Sequence, residues 1–183
     1  KGQKLIRNQM TVRLERVYLA NILLFIPDVV TIMKFPFVSK NCQTVMLTLK
    51  TNPAAFSDSP RDILKYFPNI NTMVISYLHF LTKKNALPDT VTALVIKTIH
   101  FKWLTEVCLT YADRVVEIKS SKWHPDNYCD YSLFPRLERV RLDDDVQVER
   151  LPKQRLKCVR AYSANSDRLD LFPPECAELI IMV

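Results

Sequence analysis

Glycine is nearly missing from this chain. Gly2 is the one glycine in 183 residues, against a usual share of about 7%, and the shortage removes every chemistry that needs a bare backbone against phosphate. Neither a G-x-G-x-x-G turn nor a Walker-type loop can be formed. Paired cysteine motifs are also lacking: Cys42, Cys108, Cys129, Cys158 and Cys176 are odd in number and include no C-x-x-C. That is the usage of a reduced chain in the cytoplasm or nucleus, not of a disulfide scaffold. The longest uncharged stretch near the start, Val17 to Pro27, is too short for the roughly 20 residues that span a bilayer. No small-residue cleavage site follows it, so neither a transmembrane segment nor a signal peptide is expected.

Spacings that carry catalysis are lacking as well. Ser57-Asp58-Ser59 and the histidines His79, His100 and His124 set no nucleophile beside a base, so an enzyme is not expected. Cys108, His124 and Cys129 fit no zinc spacing, and neither a metal nor another cofactor is expected. Trp103, Trp123 and the seven tyrosines are not interleaved with a basic run, which disfavours nucleic acid as a partner.

What the chain does have is apolar residues, proline and an uneven charge. With 48% hydrophobic residues, a chain of this length can bury a sizeable core in one domain or two closely joined pieces. The formal charge is +7, and residues 1–50 carry +6 of it, from eight basic and two acidic side chains. Such a basic end suits an acidic protein partner or an anionic surface.

The eleven prolines mark a recurring pattern: a Phe-Pro or Leu-Pro pair, then apolar-x-x-apolar-x-apolar. It occurs as Phe67-Pro68 with Ile70, Met73 and Ile75, as Leu87-Pro88 with Val91, Leu94 and Ile96, and as Phe134-Pro135 with Leu137, Val140 and Leu142. It returns as Leu151-Pro152 with Leu156, Val159 and Ala161, and as Phe172-Pro173 with Cys176, Leu179 and Ile181. A weaker copy, Tyr111-Ala112 with Val115, Ile118 and Ser120, fills the gap. The final positions 75, 96, 120, 142, 161 and 181 are separated by 21, 24, 22, 19 and 20 residues, the period of leucine-rich repeats.

Each copy is expected to supply one parallel strand, with its apolar positions in the core and the residues between them on a concave surface. That surface would carry Lys97, Lys119, Arg139, Arg141, Arg160 and Tyr162, with Lys119, Arg141 and Arg160 stacked on neighbouring strands. Such a row suits an acidic or phosphorylated ligand, unless Glu117, Asp143 and Glu178 neutralise it locally. The asparagine ladder of regular repeats is missing, since Leu78, Ile99, Trp123, Asp145 and Ala164 stand where it would run. An irregular solenoid is therefore expected. Ile180 to Val183 stops inside a strand, the pattern of a piece of a longer protein.

Ahead of the strands the periodicity predicts helices. Leu14, Val17, Leu19, Ile22, Leu23 and Ile26 fall mostly at three- and four-residue steps, predicting one apolar stripe on a helix from Thr11 to Ile26, ended by Pro27. Asp28 should cap a short helix through Lys34. Pro36 should open another, with Val38, Cys42, Val45, Met46 and Leu49 inward, stopped by Asn52-Pro53. Ser59-Pro60-Arg61-Asp62 is a start signal for a helix ending near Tyr66.

Residues 14–42, LERVYLANILLFIPDVVTIMKFPFVSKNC, resemble an F-box in the spacing of Leu19, Ile22, Leu23 and Ile26, the turn at Pro27-Asp28, and Val38-Ser39-Lys40 leading to Cys42. The chain departs from that pattern at Glu15, where proline is usual after Leu14, and in a turn one residue longer. An F-box-like segment followed by irregular repeats resembles a group of amoebal leucine-rich-repeat proteins. The resemblance implies docking on the acidic adaptor of a cullin-type ubiquitin ligase through Leu14, Leu19, Ile22, Leu23, Ile26, Pro27 and Val38. The chain would then be a substrate receptor. The same residues could instead bury against the first strand and simply close the solenoid.

The expected architecture is α/β: a tail at 1–10, an F-box-like helical cap at 11–66 and an irregular leucine-rich-repeat solenoid at 67–183. The expected role is protein recognition without catalysis. A scaffold or targeting domain of a larger signalling protein, binding an acidic partner or an anionic membrane surface, is the alternative.

Overall fold

A computed structural model describes residues 15–81, 86–99, 104, 106–119, 131–142, 156–162 and 179–182. The chain is α/β, with helices first and a parallel sheet after them. Helix α1 runs Arg16–Phe25, α2 Val29–Lys34, α3 Lys40–Thr48 and α4 Pro60–Tyr66. Strand β1 is Thr72–Ile75 and β2 Ala93–Ile96; the short α5, Glu106–Leu109, precedes β3, Val115–Ile118. Strands β4 (Arg139–Leu142), β5 (Cys158–Tyr162) and β6 (Leu179–Met182) follow.

The helix boundaries follow local chemistry. Pro27 cannot continue α1, whose last residue is Phe25. Asp28 accepts from the Thr31 N–H at 2.8 Å and so caps α2. That bond, made to the charged carboxylate, holds the Asp28 pKa below its ordinary value. Ser59 accepts from the Asp62 N–H at 3.3 Å and starts α4, with Pro60 at the first helical position. All three features were legible as caps and stops.

One boundary differs from expectation. Pro36 lies in a 3-10 turn, Phe35–Phe37, and α3 begins only after Ser39, whose hydroxyl accepts from the Cys42 N–H at 3.2 Å. A serine cap outcompetes a proline start here because it satisfies an otherwise orphaned amide. Val38 is left outside the helix and exposed, while Cys42, Val45, Met46 and Leu49 are buried as expected.

The six strands lie in chain order, β1-β2-β3-β4-β5-β6, each pair parallel. Aligned across them are Ile75, Ile96, Ile118, Val140, Val159 and Leu179. This corrects the alignment read from sequence, which set Ile75 and Ile96 level with Ser120 and Leu142. The pairing of β2 with β3 is also irregular: Leu94 pairs with Val115 but Val95 with Glu117, so Val116 is an extra residue. Leu142, Ala161 and Ile181 each stand two residues beyond the level of Ile96.

One core joins helices and sheet. Leu19, Leu23, Ile32, Phe35 and Met46 belong to the same buried cluster as Phe67, Met73, Leu94, Val115, Phe134 and Val159. The Phe or Leu before each described proline (Phe67, Leu87, Phe134) is itself buried, so those residues enter the core at the corner where the chain turns into a strand.

The free edge of β1 is closed by the segment after α3. Lys50 C=O accepts from the Asn71 and Thr72 amides, both at 3.0 Å, and Thr51 forms a parallel bridge with Thr72. Asn52 then takes the place of a strand neighbour. Its Oδ1 accepts from Val74 N–H at 2.8 Å, and its Nδ2 donates to Val74 C=O at 2.8 Å and to Phe56 C=O at 2.7 Å. An amide side chain can pair both backbone groups of one residue, which leaves no orphan on that edge.

Candidate functional site

On the sheet face opposite the aligned isoleucines, two rows cross the strands. The first is Val74, Val95, Glu117, Arg139 and Cys158. The second follows two residues on, through Ser76, Lys97, Lys119, Arg141 and Arg160, with Arg141 and Arg160 paired directly in register. The corrected register therefore brings Lys97 level with Lys119 and keeps Lys119, Arg141 and Arg160 together. The side chains of Arg160 and Tyr162, and the segments holding Asp143 and Glu178, lie outside the described residues.

The two rows enclose a cavity of about 430 Å³ over β3, β4 and β5, whose polar lining is Glu117, Lys119, Arg139, Arg141 and the thiol of Cys158. Charge in it is partly cancelled. Arg139 Nε donates to Glu117 Oε2 at 3.0 Å, and its Nη1 lies 4.0 Å from Glu138, which in turn pairs with Lys157 at 2.9 Å. Lys119 forms no ion pair among the described residues. Local neutralisation by Glu117 thus operates on Arg139.

Lys97 is turned the other way, toward the segment that closes the sheet edge: its Nζ lies 3.5 Å from Ala54 C=O and 3.4 Å from Ser57 Oγ. Ser57 and Ser76 hydroxyls are 2.9 Å apart, and Ser76 also donates to Asp58. This buried serine pair holds the row's first strand to the loop and was not anticipated from sequence; Ser57-Asp58-Ser59 reads locally as an ordinary polar turn.

The helical segment divides the predicted adaptor contacts. Leu19 and Leu23 are buried and Ile26 packs partly against the core, so these three hold the segment together. Ile22, Pro27 and Val38 are exposed, Val38 at 74%. Leu14 lies outside the described residues. Sequence reasoning missed the largest exposed side chains, Phe25 at 85% and Phe37 at 86%, together with Tyr18, Val30 and Met33. Around α1, Tyr18 and Phe25 stand between Val17 and Ile22, on the side turned away from the buried Leu19 and Leu23.

Among the described residues, no group of three or more His, Cys, Asp or Glu is arranged to hold a metal ion. Cys108 is buried with its thiol 3.5 Å from Leu78 C=O, while His124 and Cys129 lie outside the described residues. Among those residues no helix is long and apolar enough to cross a membrane. Compared with known proteins, the chain matches no family model, no curated protein and no solved structure.

Proposed function

We propose that this chain is a non-enzymatic protein-recognition module of the leucine-rich-repeat kind, whose F-box-like helices dock on the acidic adaptor of a cullin-type ubiquitin ligase. The repeat reading is supported by strands stacked in chain order, with level positions 19 to 22 residues apart. One observation carries the docking reading: Val17, Tyr18, Ile22, Phe25, Val30, Met33, Phe37 and Val38 are all exposed within a single packed helical segment. Apolar side chains concentrated in this way mark surfaces that are covered in use. The basic excess of residues 1–50 complements an acidic adaptor and steers association toward it.

Binding of the purified adaptor, measured by calorimetry, tests the reading. A micromolar or tighter complex is expected with the wild-type chain, and Phe25→Glu with Phe37→Glu should weaken it at least about tenfold, as loss of an aromatic anchor does. Absence of a complex with folded wild-type protein leaves those helices as a cap alone. Exposed phenylalanines beside basic residues also suit an anionic membrane surface, which would show as sedimentation with anionic but not neutral vesicles.

A further inference from the structure

We propose that the cavity over β3, β4 and β5 receives a phosphate monoester carried on a partner peptide, and that Glu117 is a built-in competitor for the Arg139 guanidinium. The inference rests on the recognition reading but concerns a different face from the helices.

Among the described residues, three basic side chains and one acidic side chain line the cavity, Lys119, Arg139 and Arg141 against Glu117. Neighbouring strands hold such residues about 4.8 Å apart, where like charges repel. An anion placed between them is drawn to Lys119, which forms no ion pair among the described residues, and to the two guanidinium groups beside it. The floor between these groups is the strand backbone at Ile118 and Val140, whose side chains lie in the core on the other face, together with the buried Cys158. A volume of about 430 Å³ lies within the range of small-ligand sites, roughly 300–1,000 Å³, and holds a phosphorylated side chain with room to spare.

Glu117 occupies part of this site in its own right. Its carboxylate makes with Arg139 the contact a ligand oxygen would make, at 3.0 Å. Glu138 cannot take over, because it lies 4.0 Å from Arg139 and is engaged at 2.9 Å by Lys157. A monoanionic ligand carboxylate gains little by displacing Glu117. A phosphate monoester carries a charge of about −1.5 to −2 and three acceptor oxygens, so it can bridge Lys119, Arg139 and Arg141 together. The carboxylates on either side of Arg139 disfavour a flat anionic membrane, which would meet them as well as the basic groups, and favour one discrete group on an extended chain.

The test is calorimetric titration of the full chain with three acetylated alanine peptides, identical except for a central phosphoserine, glutamate or serine. Soluble inositol phosphate and inorganic phosphate serve as further probes. The phosphoserine peptide should bind at least about tenfold more tightly than the glutamate peptide. Lys119→Gln and Arg141→Gln should each weaken it by about tenfold, the scale of one charge-assisted hydrogen bond. Glu117→Gln should strengthen it several-fold, a gain that misfolding cannot imitate. Equal binding of all three peptides would overturn the phosphate assignment while leaving the recognition reading in place. Failure of the phosphoserine peptide to bind, a tighter grip on inositol phosphate, or weaker binding by Glu117→Gln would each overturn the proposal.

Discussion

Asn52 shows how much one side chain can carry. It is 1% exposed and satisfies both the N–H and the C=O of Val74 on the outer edge of β1, as well as Phe56 C=O. Truncation would leave those groups buried and unpaired, each costing about 1–3 kcal/mol. Asn52→Ala is therefore expected to lower unfolding free energy by at least about 2 kcal/mol in urea titration, more than its position in a loop suggests. In the sequence Asn52 reads as the residue before a proline that ends a helix. Its real partner stands 22 residues on, and no local pattern records a bond across that distance. Caps are the opposite case: Asp28, Ser39 and Ser59 each bond three residues ahead, so local order states both partners. Lys119 and Arg141 were legible as strand neighbours because each lies two residues beyond its copy's first strand position.

At the level of the element, α1 is instructive. The predicted stripe includes Val17, Leu19, Ile22 and Leu23, yet only Leu19 and Leu23 of these are buried, with Ala20, Leu24 and Ile26 packed alongside. Residues advance about 100° each around a helix, so a docking line through Leu19, Leu23 and Ala20 turns Val17 and Ile22 to its two margins. Periodicity finds a face but not how far the helix is rolled against its neighbour. Leu23→Ala should cost about 2–5 kcal/mol, as expected for emptying a fully buried site. Ile22→Ala should stay within about 0.5 kcal/mol, and chemical denaturation of the two variants compares them directly. The β2–β3 register has the same character: the final positions 96 and 120 set Lys97 level with residue 121, yet with Ile96 paired to Ile118 it stands level with Lys119, and nothing in residues 93–118 announces that Val116 will be left over.

Across the whole molecule, helices and sheet share a core, and Asn69 Nδ2 reaches back to Leu47 C=O at 2.7 Å. A unit built in this way should unfold together. Hydrogen exchange is expected to show that Leu23→Ala lowers protection of β1 and β2 by the same free energy as it lowers protection of α3; protection lost from the helices alone would mean that they open separately. Read by itself, the sequence was enough for the α/β class, the order of helices before strands, the caps and the apolar positions of the strands, because periodicity, turn residues and caps act over a few residues. The level of each strand against the next, the pairing of Glu117 with Arg139, the role of Asn52 and the exposure of Phe25 and Phe37 were decided only in three dimensions. They depend on how far each element slides or rolls against another, and that is set by the packing of side chains distant in the chain.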